Sequence, residues 1–442
     1  MKLVYNIQDK PSFGKLIVFA IQQLLAIMAA TLVVPVIVGN DMQPSAALFG
    51  AGVGTLIYVL FTKASSPVFL GSSFAFLGSM AAAFAGAVST QAGYAGLIIG
   101  AVFAGLVYVV ISLVVKFCGV DWIDKLMPKQ VIGPTVAIIG LSLAANAVGD
   151  LQTGNGSDAV NPLIAVLCGL VALAVTMLCS VYGSKGMKLI PFIIGILAGY
   201  VVSAIFTAIG TATGNAALMV IDFSVFNDMK VISVPEFTFL TALKGVKEVD
   251  GAFIGTLAAA YVPVAFVVFA EHIADHKNIS SIIEKDLLKE PGLHRTLLGD
   301  GVGSMVGAFF GGCPNTTYGE SIACVAITGN ASVATIITAA VLAILISFIG
   351  PFVAFVDSIP SCVMGGICMA LYGFIAVSGL KMVQKVDLED NRNLFVVSVI
   401  LIAGIGGLTL TFGNVTITAV ATALILGILT NIILGGNRKK EN

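Results

Sequence analysis

Residues Cys313–Gly329 read CPNTTYGESIACVAITG. Long apolar segments flank this stretch. It opens with Pro314, Asn315, Thr316 and Thr317, and then sets Tyr318, Gly319 and Glu320 in a row. That order predicts an extended segment turning into a short helix, not a plain spanning helix. Irregular backbone at membrane depth is tolerated only where it is buried in protein or lines a cavity. A carboxylate there is costly and marks a functional site. A twin lies 244 residues earlier: Ser72-Ser73-Phe74-Ala75 repeats the two hydroxyls, aromatic and small residue of Thr316-Thr317-Tyr318-Gly319. Pro128-x-x-Val131-Ile132-Gly133 likewise matches Pro360-x-x-Val363-Met364-Gly365, at an offset of 232. Two matches in the same order predict a duplicated chain. Paired interrupted segments in corresponding positions of two halves are a sequence pointer to a transporter binding site.

Hydrophobic residues make up 58% of the 442 and charged residues 10%, against about 25% charged in soluble domains. The chain is therefore expected to be an integral, all-α polytopic membrane protein. The net charge of -1 carries no signal for nucleic acid, and no nucleic-acid partner is expected. The seven cysteines contain no C-x-x-C pair and read as buried free thiols. The polar start MKLVYNIQDKPSFGK leads into a span too long for a signal sequence and lacks a small-residue cleavage site. It is expected to be a mature, cytoplasmic N-terminus.

A span needs about 20 apolar residues. Fourteen segments are expected, near 15–38, 46–62, 66–86, 94–117, 128–148, 160–182, 187–209, 249–275, 293–312, 314–328, 331–355, 360–380, 392–411 and 414–435. The third and tenth are the interrupted ones. Stretches 121–127 and 236–247 mix charge with apolar residues and are expected to lie at the interface as short amphipathic helices. With the N-terminus inside, 19 of the 22 Lys and Arg fall in loops on the cytoplasmic side; only Lys230, Lys244 and Lys247 do not. That partition follows the positive-inside rule, and it places both termini in the cytoplasm. Seven spans per half is an odd number, so the halves must be inverted. Residues 210–248 form the connector.

Acidic residues inside apolar spans are few. Glu271 and Asp275 are four apart and share one helical face; His272 and His276 share the neighbouring face. The plain alternative is a span ending near residue 270 with a solvated cap. Glu271, however, follows an uncharged run from Gly251 and is expected to lie inside. Glu320 is the second intramembrane carboxylate, since the helix after it is too short to span alone. A half-helix start supplies free N–H groups and a positive dipole end. Ser73-Phe74-Ala75 and Tyr318-Gly319-Glu320 would each present such amides. Amides donate to carbonyl oxygens, and carboxylates accept from ring N–H groups. A pyrimidine or oxopurine matches both, with Phe74 or Tyr318 covering its apolar face. Spacing leaves an amino acid or small anion open, although two carboxylates argue against a strongly anionic substrate. An anion carrier would call for a basic residue in the half-helix site, and none stands there. No H-E-x-x-H, G-x-S-x-G or P-loop occurs, so no enzyme, cofactor or metal is expected. His at i and i+4 beside Glu271 is only a weak metal pattern.

The stretches FLGSSFAF (69–76), AEHIADH (270–276), KDLLKEPGLHR (285–295), NTTYGES (315–321) and ALYGFIAVSG (370–379) strongly resemble the nucleobase-ascorbate transporters, or nucleobase:cation symporters. The bacterial uracil permeases are the most similar branch. The resemblance implies two inverted seven-segment repeats, with short antiparallel strands leading the half-helices of segments 3 and 10. It implies a core domain (1–117 and 249–355) and a gate domain (118–209 and 356–436), with 210–248 linking the repeats. Core moves against gate in an elevator-like shift, in a homodimer in a bacterial inner membrane. By the same resemblance Glu271 and Glu320 bind the ring, Phe74 and Gly319 offer amides, Ala30 and Tyr318 line the pocket, and Tyr372 faces it from the gate. Asp275, with Glu271, belongs to proton coupling; sodium is the alternative ion. Three places depart from the uracil-permease pattern: Asp275 replaces a His, Gln22-Gln23 replaces Gln-His, and Ser321-Ile322-Ala323 replaces Asn-x-Gly. Uracil is the expected substrate, with xanthine or uric acid as the alternative.

Overall fold

The computed structural model describes residues 3–119, 128–227, 229–412 and 415–435. Eight of its helices are long and apolar enough to cross a membrane. The chain opens with α1 (Phe13–Val38) and α2 (Pro44–Phe61), the latter started by Pro44, where the missing N–H costs nothing. Strand β1 (Leu70–Ser72), a 3-10 turn at Phe74–Phe76 and α3 (Leu77–Ala85) follow. Then come α4 (Thr90–Cys118), α5 (Lys129–Ser142), α6 (Ala144–Asp150), α7 (Pro162–Tyr182) and α8 (Pro191–Thr213). The connector holds α9 (Thr238–Gly245). The second half runs through α10 (Gly251–Ile283), α11 (Leu293–Gly311), β2 (Asn315–Thr317) and α12 (Gly319–Thr328). It continues with α13 (Val333–Ile346), α14 (Gly350–Asp357), α15 (Ser361–Val383), α16 (Asn391–Ile405), β3 (Leu410–Phe412), β4 (Val415–Ile417) and α17 (Ala419–Gly435).

At about 1.5 Å per residue, α3 and α12 reach only about half of a 30 Å hydrocarbon core. The extended backbone before each must satisfy its polar groups within the protein, because an unpaired group in lipid costs several kcal/mol. The two strands do this for each other. β1 pairs antiparallel with β2 in the register Leu70–Thr317, Gly71–Thr316 and Ser72–Asn315. The ladder is extended by Tyr318 N donating to Phe69 O at 3.2 Å and Ser73 N donating to Pro314 O at 2.8 Å. Thr55 of α2 accepts from the Leu70 amide at 3.0 Å, and Asn315 Nδ2 donates to Gly50 O at 3.2 Å.

α2 and α11 hold this ladder from behind. Gly50 faces Gly307 and Gly311, and Gly54 faces Gly303. Lipid tails are as apolar as Leu, so helices in a bilayer associate through close backbone packing at small residues. The i, i+4 glycines on both helices provide that approach. α4 packs on α10 and α11, and α13 packs on α1 and α2. Separately, α5 packs on α15 and α16, α7 on α8 and α15, and α16 on α17.

Several expected boundaries move. The eighth span does not end at 275: α10 continues to Ile283, so the 270–276 cluster lies inside a helix. The eleventh breaks between α13 and α14, before Pro351. The thirteenth and fourteenth do not meet helix to helix. α16 stops at Ile405, and β-branched Thr411, Thr416 and Ile417 form part of an antiparallel hairpin, as such side chains favour. The expected amphipathic stretch 236–247 contains α9, which packs on α4. The other, 121–127, and the basic residues 438–440 lie outside the described residues.

Candidate functional site

The ladder places the two half-helix starts beside the middle of α10. The amide of Leu77 donates to Phe74 O, which leaves the Phe74 and Ala75 amides free of helical acceptors. Ile322 N donates to Tyr318 O, which leaves those of Gly319 and Glu320. Both starts carry the positive end of a helix dipole. The Tyr318 ring lies across the α-carbon of Gly71, where any side chain would displace it, and its hydroxyl donates to Ser72 O at 2.6 Å.

A cavity of about 420 Å³ opens in front of these starts. Glu271, Asp275, Glu320, Phe74, Tyr318 and Gly319 line it on one side, and Val136, Ile139, Phe192, Leu371, Phe374 and Ile375 supply much of the other. Asp275 accepts a hydrogen bond from Thr317 Oγ1 at 2.7 Å. Among the described residues the side chains of Glu271 and Glu320 are hydrogen-bonded to no other side chain, and both line the cavity. Lys188, Ile327 and Met382, at or near the ends of their elements, form its rim.

Three expected site residues do not line this cavity. Ala30 is buried in α1 and shares a packed cluster with Tyr318; Ala26, one turn earlier, lines the wall instead. The Ser73 amide is engaged by Pro314 O. Tyr372 lies behind Phe74, edge to face with ring centroids 6.2 Å apart. A basic residue stands elsewhere in the cavity. Lys188 is absent from the half-helix starts but lines the same cavity. The sequence shows it only as one more loop lysine.

The neighbouring face of α10 is a buried polar seam. His272 Nδ1 lies 2.7 Å from Asp300 Oδ2, and its Nε2 lies 3.0 Å from Thr296 Oγ1. The His276 ring stacks on His272 with centroids 4.0 Å apart. Its Nε2 meets the Tyr58 hydroxyl at 2.7 Å. These bonds tie α10 to α11 and α2, and so aim Glu271 and Asp275 forward. No group of three or more His, Cys, Asp or Glu suited to a metal occurs among the described residues. A second seam joins two of the sequence departures. Gln23 Nε2 donates to Ser321 Oγ, which also accepts from Phe69 N at 3.0 Å. Both polar side chains are buried, and each satisfies the other.

The "Permease family" matches residues 14–413 of the chain. A uracil permease of Bacillus caldolyticus is 40% identical over 98% of this chain and 95% of its own. The uracil permease of Escherichia coli K12 is 33% identical over 97% of this chain and 93% of its own. Among solved structures, the transmembrane domain of a cyanobacterial bicarbonate transporter superposes with a TM-score of 0.59 at 14% identity, covering 97% of this chain and 99% of that one. The murine Slc26a9 anion transporter does so with a TM-score of 0.65 at 11% identity, covering 97% of this chain and 69% of that one. At such identities the likeness is one of fold.

Proposed function

The chain belongs to the permease family, as a multi-pass membrane transporter and not an enzyme, and from that premise we propose that it imports uracil together with a proton. One observation carries the reading: half-helix amides without helical acceptors and the carboxylates of Glu271 and Glu320 line the same side of one cavity. The amides of Phe74 and Gly319 donate to the carbonyl oxygens of the base, while Glu271 and Glu320 accept its ring N–H groups. Phe74 and Tyr318 bound the ring's apolar faces. Removing a buried partner from such a pair leaves the other unsatisfied, so an analogue lacking an N–H or C=O is rejected strongly.

Asp275 and Glu271 serve proton coupling. A carboxyl that crosses low dielectric neutral avoids the cost of a buried charge. Asp275 takes a proton at the outer face and gives it up at the inner one, and bound base travels with it. Sodium is the alternative ion, and a purine such as xanthine or uric acid is the alternative base. The fold neighbours include anion transporters, but three carboxylates against one lysine disfavour an anion here.

The movement is an elevator-like shift of a core (1–117 and 249–355) against a gate (118–209 and 356–436), with 210–248 linking them. The packing supports fourteen segments in two inverted repeats. α4 on α11 has its counterpart in α13 on α2, and α7 on α8 in α16 on α17, while α2 meets its own counterpart α11 and α5 meets α15. The rim at Lys188 and Met382 lies on the lysine-rich side, which supports an inward-facing state with both termini cytoplasmic. A homodimer in the bacterial inner membrane is the expected assembly.

Radiolabelled uracil uptake into proteoliposomes under an inward proton gradient tests this, with unlabelled xanthine, uric acid and thymine as competitors. The expected result is accumulation that a protonophore collapses and only pyrimidines block. Binding of a purine without uracil uptake would overturn the choice of base.

A further inference from the structure

The cavity wall facing the half-helices is almost wholly apolar, except for Ser378 and Lys188. Lys188 is the one Lys or Arg among the lining residues. It sits on the turn Met187–Leu189 between α7 and α8. Leu189 of this turn is buried in a cluster with Ala26 of α1 and Cys324 of α12. The turn thus reaches from one helix group to the other and fixes Lys188 at the junction. Its ammonium forms no ion pair among the described residues, and the residue is exposed. The titratable groups sharing the cavity with it are Glu271 and Asp275 of α10, and Tyr318, Glu320 and Cys324 of the α12 segment. Three of the five are carboxyls. With no ion pair formed and the lysine exposed, its pull on each carboxyl is that of an exposed pair, up to about fivefold in an equilibrium constant.

We propose that Lys188 is the counter-charge that drives proton release from the carboxyl cluster at the inner face. In the loaded carrier the coupling carboxyl is protonated and the lysine has little to offset. When base leaves, water enters, the carboxyl O–H breaks, and the proton passes to that water. The carboxylate left behind shares the cavity with the Lys188 ammonium. This rests on the proton-symport reading and adds a residue that touches neither base nor proton. Lys188 is therefore a positioning residue for charge, placed on the opposite wall from the carboxylates.

Net uptake and exchange separate the role from a structural one. Net proton-driven uptake requires proton release inside; uracil–uracil exchange lets the carrier turn over still protonated. Lys188→Gln is expected to slow net uptake about fivefold, the scale of an exposed pair, most at acidic lumenal pH. Exchange and uracil binding by the purified protein should stay near wild type. Lys188→Arg should restore net uptake. If Lys188→Gln matches wild type in net uptake, or loses exchange to the same degree, the counter-charge role is overturned while symport stands. If wild-type protein exchanges uracil without accumulating it under a proton gradient, the symport reading fails and the inference falls with it.

Discussion

At the scale of single residues, two carboxylates one turn apart have different partners. Among the described residues no side chain bonds the Glu271 carboxyl, whereas Asp275 is held by Thr317. Substitution should separate them. Glu271→Gln keeps the shape but loses the charged acceptor, and hydrogen bonds to charged groups are worth about 1.5–3 kcal/mol. Uracil affinity is expected to fall about tenfold or more, read by titration of purified protein whose melting is unchanged. Asp275→Asn is expected to leave binding nearly intact and to abolish proton-dependent accumulation; full pH-dependent accumulation in that variant would rule Asp275 out as the coupling group. Both acids were legible in the sequence because charge is rare in an apolar span. Thr317 and Lys188 were not. A threonine in a polar run and a lysine in a loop look ordinary until the chain brings them to the cavity. The Gln23–Ser321 contact spans 298 residues and has no local trace either.

At the scale of elements, the interrupted segments depend on what stands behind them. A Cβ on Gly54 would meet Asn315 Nδ2 and, at 2.8 Å, Gly303 O. Gly54→Leu must therefore part α2 from α11 and disturb the Asn315 side chain that bonds Gly50 O. Overpacking of this kind costs about 1–3 kcal/mol, and a drop in melting temperature together with lost transport is expected. Gly78 on α3 has nothing within 4 Å of its added Cβ. Gly78→Ala should be neutral, or stabilising by up to about 1 kcal/mol. Equal melting of the two variants would mean that the glycine seam is not what holds the ladder. The extended-then-helical character of 314–328 was readable from Pro314, the hydroxyl run and Gly319. The β3–β4 hairpin was not, because two three-residue stretches of four apolar residues and two threonines fit a strand and a helix end equally well.

At the scale of the molecule, the cavity lies between two packed groups of helices, and transport in the proposed mechanism requires them to slide. Ser378 on α15 lines the cavity opposite the carboxylates. Ser378→Trp is expected to fill that space and abolish uptake, with folding judged intact by melting and gel filtration. Substantial uptake by that variant would place the permeation path elsewhere. Membrane class, the apolar segments and the two interrupted ones were determined by the sequence itself. Lipid forces nearly every spanning backbone into helix, and a proline, a glycine or a charge in such a run stands out against that uniform demand. Which face of α10 meets the cavity, which residues behind it hold it in place, and which lysine shares space with three carboxyls were decided only by tertiary structure. Those relations arise between residues tens to hundreds of positions apart, where helical periodicity and composition carry no information about neighbours.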